Sequence, residues 1–205
     1  MRVIITLLCF SLASLTFAQS SETTLTLISA ALQSDIRPAA DKARDTERKP
    51  LEVLSFFRLE QDMKVIEVLP FGGWYTKILG PVLRDNGVLY TVQPDLGAYS
   101  DELIPVSQMA GMDRVQKLDW NGPTGGPNLF TGSGAWTVEP VDLVLTFRNY
   151  HNFNYDDRMA INKSTFDALK PGGYYGIVDH TRRHMEAGYR ENGRRVDPVL
   201  LIKEV

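Results

Sequence analysis

Short apolar runs recur along this chain, each closed by a turn and followed by a stretch with helical spacing. Lys64 to Leu69, Val88 to Val92, Arg114 to Leu118, Val141 to Phe147 and Tyr174 to Val178 have the length and the Val, Ile, Leu and Tyr content of strands. Val141 to Phe147 is almost unbroken in apolar character, the pattern of a parallel strand covered on both faces. Trp74 to Arg84, Asp101 to Ala110, Asp157 to Leu169 and Pro198 to Glu204 read as helices, the first stopped by Asp85-Asn86-Gly87. Upstream, Ser20 to Ser34 is either a helix or a loose lead-in. Pro38 opens a charge-rich helical stretch, Ala39 to Arg48, and after the Lys49-Pro50 break Leu51 to Phe57 adds a turn or two. Asn121 to Pro140 is dense in Gly, Thr and Pro without a period, a long irregular loop of the kind that carries function or moves. Strand and helix alternate five times, which predicts a doubly wound, mostly parallel α/β sheet.

Composition narrows the class. A chain of 205 residues with 43% hydrophobic and 23% charged content suits one domain with a substantial core. The formal charge of −3, with no dominant basic patch, argues against a nucleic-acid partner. The local cluster of Arg182, Arg183, Arg194 and Arg195 reads as solvated loop charge. Arg2, the apolar run Val3 to Leu15 and the small-residue site near Ala18 predict a cleavable signal peptide over 1–18, hence a periplasmic or secreted protein. The single cysteine, Cys9, lies within that segment, so the mature chain has neither a disulfide nor a thiol ligand. No later stretch is long enough to span a membrane. Residues 19–37 form an N-terminal lead-in and 38–205 the main domain; the oligomeric state is not encoded in any visible pattern.

In a sheet of this type ligands sit beyond the carboxyl ends of the strands, so the polar residues there are the candidates. The first strand ends in Glu67 and runs into the turn Leu69-Pro70-Phe71-Gly72-Gly73, where a helix begins at once. Such a turn lets backbone approach a ligand and presents unpaired N–H groups. Gln93 and Asp95 follow the second strand, Asp119-Trp120 the third, Arg148 to Asn152 the fourth and Asp179-His180 the fifth. His180 and His184 stand four apart, the spacing of two ligands on one helix face, but Arg182 and Arg183 between them oppose a cation, and no metal site is assigned.

Four segments carry a resemblance: VIEVLPFGGWYTKIL (Val65 to Leu79), NGVLYTVQP (Asn86 to Pro94), VDLVLTFRNYHNF (Val141 to Phe153) and LKPGGYYGIVDH (Leu169 to His180). With the lead-in from Arg37 to Val65, they make the chain similar to class I S-adenosylmethionine-dependent methyltransferases, specifically an exported bacterial group of predicted methyltransferases. The resemblance implies a Rossmann-like methyltransferase fold, S-adenosyl-L-methionine as cofactor and a small-molecule methyl acceptor. It places the amino-acid end of the cofactor against Glu67, Leu69, Pro70, Gly72 and Gly73, the ribose at Gln93, and the adenine near Asp119 and Trp120. Asn149 lines the space between donor and acceptor, with Tyr150 and His151 beside it, His151 as a candidate general base and Tyr150 as an orienting group.

The chain also departs from that family. Its acid-x-Gly-x-Gly-x-Gly turn places glycines where this sequence has Leu69, Phe71 and Gly73, and a left-handed backbone at Phe71 would be strained. Glutamine replaces the usual ribose-binding acid. The last two strands of the family sheet have no counterpart before Val205, so the chain reads as C-terminally truncated, with an open sheet edge. Two functions stay open: methyl transfer to a small molecule, and a non-catalytic methyltransferase-like binding protein in the periplasm. A nicotinamide-dependent oxidoreductase is disfavoured by the lack of Gly-x-Gly-x-x-Gly.

Overall fold

The computed structural model of the protein describes residues 20–94, 108–120, 136–189 and 192–205. The expected signal peptide, Asp95, most of the helix expected over Asp101 to Ala110, and most of the Asn121 to Pro140 loop lie outside these residues. Five strands, β1 (Lys64–Val68), β2 (Val88–Val92), β3 (Gln116–Leu118), β4 (Val141–Phe147) and β5 (Leu169–Val178), form one sheet in the order β3-β2-β1-β4-β5. Every pairing is parallel. The order reverses between β1 and β4, which places the crevice of a doubly wound sheet beyond those two strands.

Period-two alternation decides which helices cover which face. Val65, Leu143 and Leu145 pack with Ile28 of α1 (Glu22–Gln33) and with Ile78 and Leu79 of α5 (Thr76–Leu83). Ile66, Val68 and Val144 point to the other face, against Ile161 and Ala168 of α6 (Tyr155–Ala168). Glu67 therefore belongs to the α1/α5 face, as its last inward position before the strand ends. Asp142, at the opposite end of the sheet, accepts the Lys64 N–H at 2.7 Å and pairs with Lys170. It is a structural carboxylate far from the crevice, as its position early in a buried strand suggests.

One open alternative is decided and two elements differ from the sequence expectation. Of the two alternatives for residues 20–34 the helix is present: α1 (Glu22–Gln33) has the N-cap Ser21, which accepts from the Thr24 N–H, and its Ile28 and Ala31 lie in the main core. The lead-in is thus part of the fold, because its apolar stripe covers α5. The single helix expected over Ala39 to Arg48 is two short ones, α2 (Ala39–Lys42) and α3 (Asp45–Arg48), followed by α4 (Pro50–Phe56). The break between α3 and α4 is Lys49, left-handed at φ 46° before Pro50, where the helix cannot simply continue. Finally, Leu169 pairs with Val141 ahead of the Lys170 to Gly173 segment, so β5 begins earlier than expected and carries a register shift there. The chain finishes in α7 (Pro198–Glu204), capped by the Asp197 carboxylate and tied to α6 by the Arg158–Glu204 ion pair.

Among the described residues no helix is long and apolar enough to cross a membrane.

Candidate functional site

β1 ends in an unusual backbone. Leu69 (φ 57°), Phe71 (φ 45°) and Gly73 (φ 68°) are left-handed, alternating with Pro70 and Gly72. These are the three positions that the family resemblance marks for glycine, so the conformation of the turn is present although two of its glycines are not. Two neighbouring strands hold it. The Asn149 amide, past the end of β4, donates to the carbonyls of Val68 and Leu69 at 3.2 Å each and to Thr146 Oγ1 at 3.1 Å. From the end of β2, the Gln93 amide oxygen accepts the Phe71 N–H at 3.2 Å. Non-glycine residues held left-handed cost on the order of 1–2 kcal/mol each, a load that only such over-determined surroundings sustain.

Around this turn lies a cavity of about 700 Å³. Glu67, Leu69, Pro70, Phe71 and Gly72 form one wall, and Arg148, Asn149, His151 and His180 another. Trp74, Tyr75 and Phe147 also line it, Tyr75 lying nearly parallel to Phe147. Phe71 does not plug the hollow: its ring packs against the cluster around Ile66 and Val68 and leaves the space open. A side-chain carbon added at Gly72 would meet nothing within 4 Å, so backbone there is open to an incoming group. Gly73 is different, since a Cβ there would press on the Met109 side chain; its smallness serves packing.

Glu67 is 2% exposed and accepts one short hydrogen bond, 2.6 Å from Thr76 Oγ1. Burial, only partly offset by that hydroxyl, pushes its carboxyl group up to about 7. Across the cavity the His151 ring and the Asp179 carboxylate form a dyad. Nδ1 lies 2.6 Å from Asp179 Oδ1, and the His151 backbone N–H donates to Oδ2 at 2.9 Å. Both side chains are almost fully buried. The carboxylate at Nδ1 places the proton there, leaving Nε2 as the acceptor, with the Arg194 guanidinium 3.5 Å away.

The roof comes from the N-terminal helices. Arg37 is fully buried, donates to the Leu32 carbonyl at 2.8 Å and forks onto Asp45. Asp41 accepts from Lys77 of α5 at 2.7 Å and from Arg44 at 2.9 Å, while its carbonyl accepts the Trp74 indole N–H. Arg48 lies over the Trp74 ring, 4.6 Å from its centroid.

Of the residues expected from the sequence, the cavity gathers Glu67, Leu69, Pro70, Gly72, Asn149 and His151. Others stand elsewhere. Gln93 touches the turn from behind with the amide oxygen that the ribose would need, so its contact is with backbone. Asp119 is exposed and Trp120 packs under the other face of the sheet; neither lines this cavity. Tyr150 is corrected most plainly. It is wholly buried, with its hydroxyl accepting from Asn162 at 3.0 Å and lying 3.3 Å from Glu204, and it faces α6 and α7 instead of the cavity. The segment 180–184 is not helical, and His180 and His184 have separate partners, Arg148 and Asp197. Sequence reasoning missed Asp179 as the partner of His151, although its place after β5 was the available signal. It also took Arg194 and Arg195 for solvated loop charge, whereas both line the cavity.

No protein-family model matches the chain, and comparison with curated proteins gives no match. Solved structures do. An S-adenosylmethionine-dependent methyltransferase from Aquifex aeolicus superposes with a TM-score of 0.53 at 17% identity, over 88% of this chain and 86% of that one. The YcgJ protein from Bacillus subtilis is similar over 66% of this chain and 51% of its own, at 14% identity and a TM-score of 0.45. An O-methyltransferase from Bacillus cereus in complex with SAH is similar over 76% and 66%, at 17% and 0.41. The chain thus spans about half of the second relative and two thirds of the third. The likeness to the first is one of fold: this chain is built on the Rossmann-like fold of class I S-adenosylmethionine-dependent methyltransferases.

Two outcomes follow from the turn and the buried acid. Alanine is ordinarily the more stabilising residue, but at a left-handed position glycine is favoured. Phe71→Gly is therefore expected to exceed Phe71→Ala in stability by about 1 kcal/mol, read from urea unfolding; the ordinary order would show that the turn is not left-handed in solution. Glu67 holds its proton in the fold at pH values where the unfolded chain has lost it. Its contribution to unfolding free energy should therefore fall by roughly 3 kcal/mol as pH rises from about 4.5 to 7 and stay level above that. In Glu67→Gln that slope should vanish, and an unchanged pH profile would place the carboxylate in water.

Proposed function

We propose that the protein binds S-adenosyl-L-methionine in this cavity and transfers its methyl group to the oxygen or nitrogen of a small-molecule acceptor. The observation that carries the reading is the meeting, in one cavity at the sheet's reversal point, of the left-handed turn with its buried Glu67 and the His151–Asp179 dyad. The residues fit the cofactor. The volume lies within the range of small-molecule sites, Gly72 leaves backbone open to close approach, and Glu67 is a buried carboxylate with one hydroxyl donor that an ammonium group would complement. Glu67 and the turn from Leu69 to Gly72 would hold the amino-acid end. When bound, the cofactor supplies a methyl group on a positively charged sulfur.

The chain's own part is alignment and one proton. In-line displacement gains most from holding the two partners in register, so few side chains need be reactive. His151 Nε2 removes the acceptor's proton, and Asp179 fixes the tautomer that keeps Nε2 available and stabilises the imidazolium formed. Asn149 acts one step back, since it holds the turn through the Val68 and Leu69 carbonyls.

A second reading, a methyltransferase-like binding protein without catalysis, draws on Leu69 and Phe71, which put side chains at left-handed positions where this turn favours glycine. Calorimetry of the chain with S-adenosylmethionine and S-adenosylhomocysteine separates the readings at the first step: micromolar binding supports the enzyme, and no heat from folded protein removes it. Glu67→Gln should weaken that binding at least tenfold. If a panel of hydroxyl and amine acceptors reveals turnover, His151→Ala and Asp179→Asn should cut it about a hundredfold or more with cofactor affinity within threefold. Equal losses in both quantities would make the dyad a wall of the pocket.

A further inference from the structure

We infer that the methyl acceptor carries an acidic group, a carboxylate or a phosphate, which Arg148, Arg194 and Arg195 hold beside the His151–Asp179 dyad; this rests on the methyltransferase reading above.

The argument is one of uncompensated charge. Among the described residues five arginines and two carboxylates line the cavity, with Asp179 held behind His151, in a chain whose formal charge is −3. One of those carboxylates, Asp41, is already committed to Arg44 and Lys77. The other, Glu67, is buried at the far wall beneath Thr76. Among the described residues no carboxylate pairs with Arg48, Arg148, Arg194 or Arg195. Their contacts are with neutral groups. Arg148 Nε donates to His180 Nε2 at 3.0 Å, Arg194 reaches His151 Nε2 and the Asn152 side-chain Oδ1, and Arg195 donates to the Thr181 backbone carbonyl.

The crowding is felt by the groups themselves. Burial first, and then the positive charges of Arg44 and Arg148, lower the affinity of Arg48 for its proton. His180 is lowered by burial and then by Arg148. Cations gathered without counter-charge on a partly enclosed wall repel one another, and a bound anion relieves that repulsion. The cofactor's own carboxylate would satisfy one of them, and Arg48, which lines the cavity over the Trp74 ring, would be its partner. That leaves Arg148, Arg194 and Arg195 on the side of the dyad. Guanidinium groups recognise carboxylates and phosphates through paired N–H donors, so they would fix an acidic acceptor by its charged end with another of its atoms near His151 Nε2.

The test is calorimetric titration of the chain, with and without saturating S-adenosylhomocysteine, using inorganic phosphate, benzoate and the uncharged analogue benzamide. Millimolar binding of phosphate or benzoate, with at least tenfold weaker benzamide, is expected, and whichever anion binds tighter identifies the acidic group. The paired substitution Arg194→Gln with Arg195→Gln, at exposed loop positions, should weaken the anion at least tenfold and leave S-adenosylhomocysteine affinity within twofold. Arg148→Gln tests the same site independently. Benzamide binding as well as benzoate, or anion affinity unchanged in both variants, overturns the inference. S-adenosylhomocysteine binding without anion binding sinks this inference alone, whereas arginine-dependent anion binding without S-adenosylhomocysteine binding sustains the anion site and sinks the cofactor assignment.

Discussion

The site rests on a single constraint: β1 must stop abruptly and hand the chain to α5 through a backbone that is left-handed at every second residue. That path turns the Leu69 to Gly73 peptides along the mouth of the crevice. It is held from both sides, by Asn149 from the β4 end and by Gln93 from the β2 end. Two of the three left-handed positions carry large apolar side chains, so the turn is maintained by its neighbours against local preference. Their rings and branches find places in the core under the sheet, Leu69 fully and Phe71 in part, which offsets some of that cost.

The same geometry accounts for Glu67. Alternation along β1 aims it at the α1/α5 face, beside the apolar Val65, Leu143 and Leu145, and Thr76 at the start of α5 lies against it. A carboxyl group with one hydroxyl donor in such a place keeps its proton to about neutral pH. Stability and ligand binding therefore pull in opposite directions at this residue: the fold favours the neutral acid, and a cationic ligand favours the carboxylate. The N-terminal helices complete the enclosure. Asp41, reaching Lys77, Arg44 and Trp74 at once, joins them to α5 and to the wall of the cavity.

Much of the architecture was legible in the amino-acid order. The almost unbroken apolar run of β4 marks it as a buried parallel strand, and the Glu67 to Gly73 segment announces a strand-to-helix turn at a crevice. β2, β4 and α7 begin and end where their patterns do. The left-handed positions could be anticipated through the family register, although Leu69 and Phe71 give no local sign of that conformation. Asp142 was recognisable as structural from its place early in a buried strand.

Other assignments depended on contacts between residues far apart in the chain. Tyr150 and His151 are adjacent in sequence, yet one turn of 3-10 helix sends the first into the core beside α6 and the second toward the cavity. The pairing of His151 with Asp179 spans 28 residues and exists because β4 and β5 are neighbours. Arg194 and Arg195 look like loop charge until the bridge between Thr181 and Val196 carries their segment back over the strand ends. Periodicity is a local property, written by burial of alternate residues, and it determined the sheet and its helices. Which polar groups meet in one cavity is a property of strand order and loop return, which no single stretch of the chain encodes, and only the tertiary structure decided it.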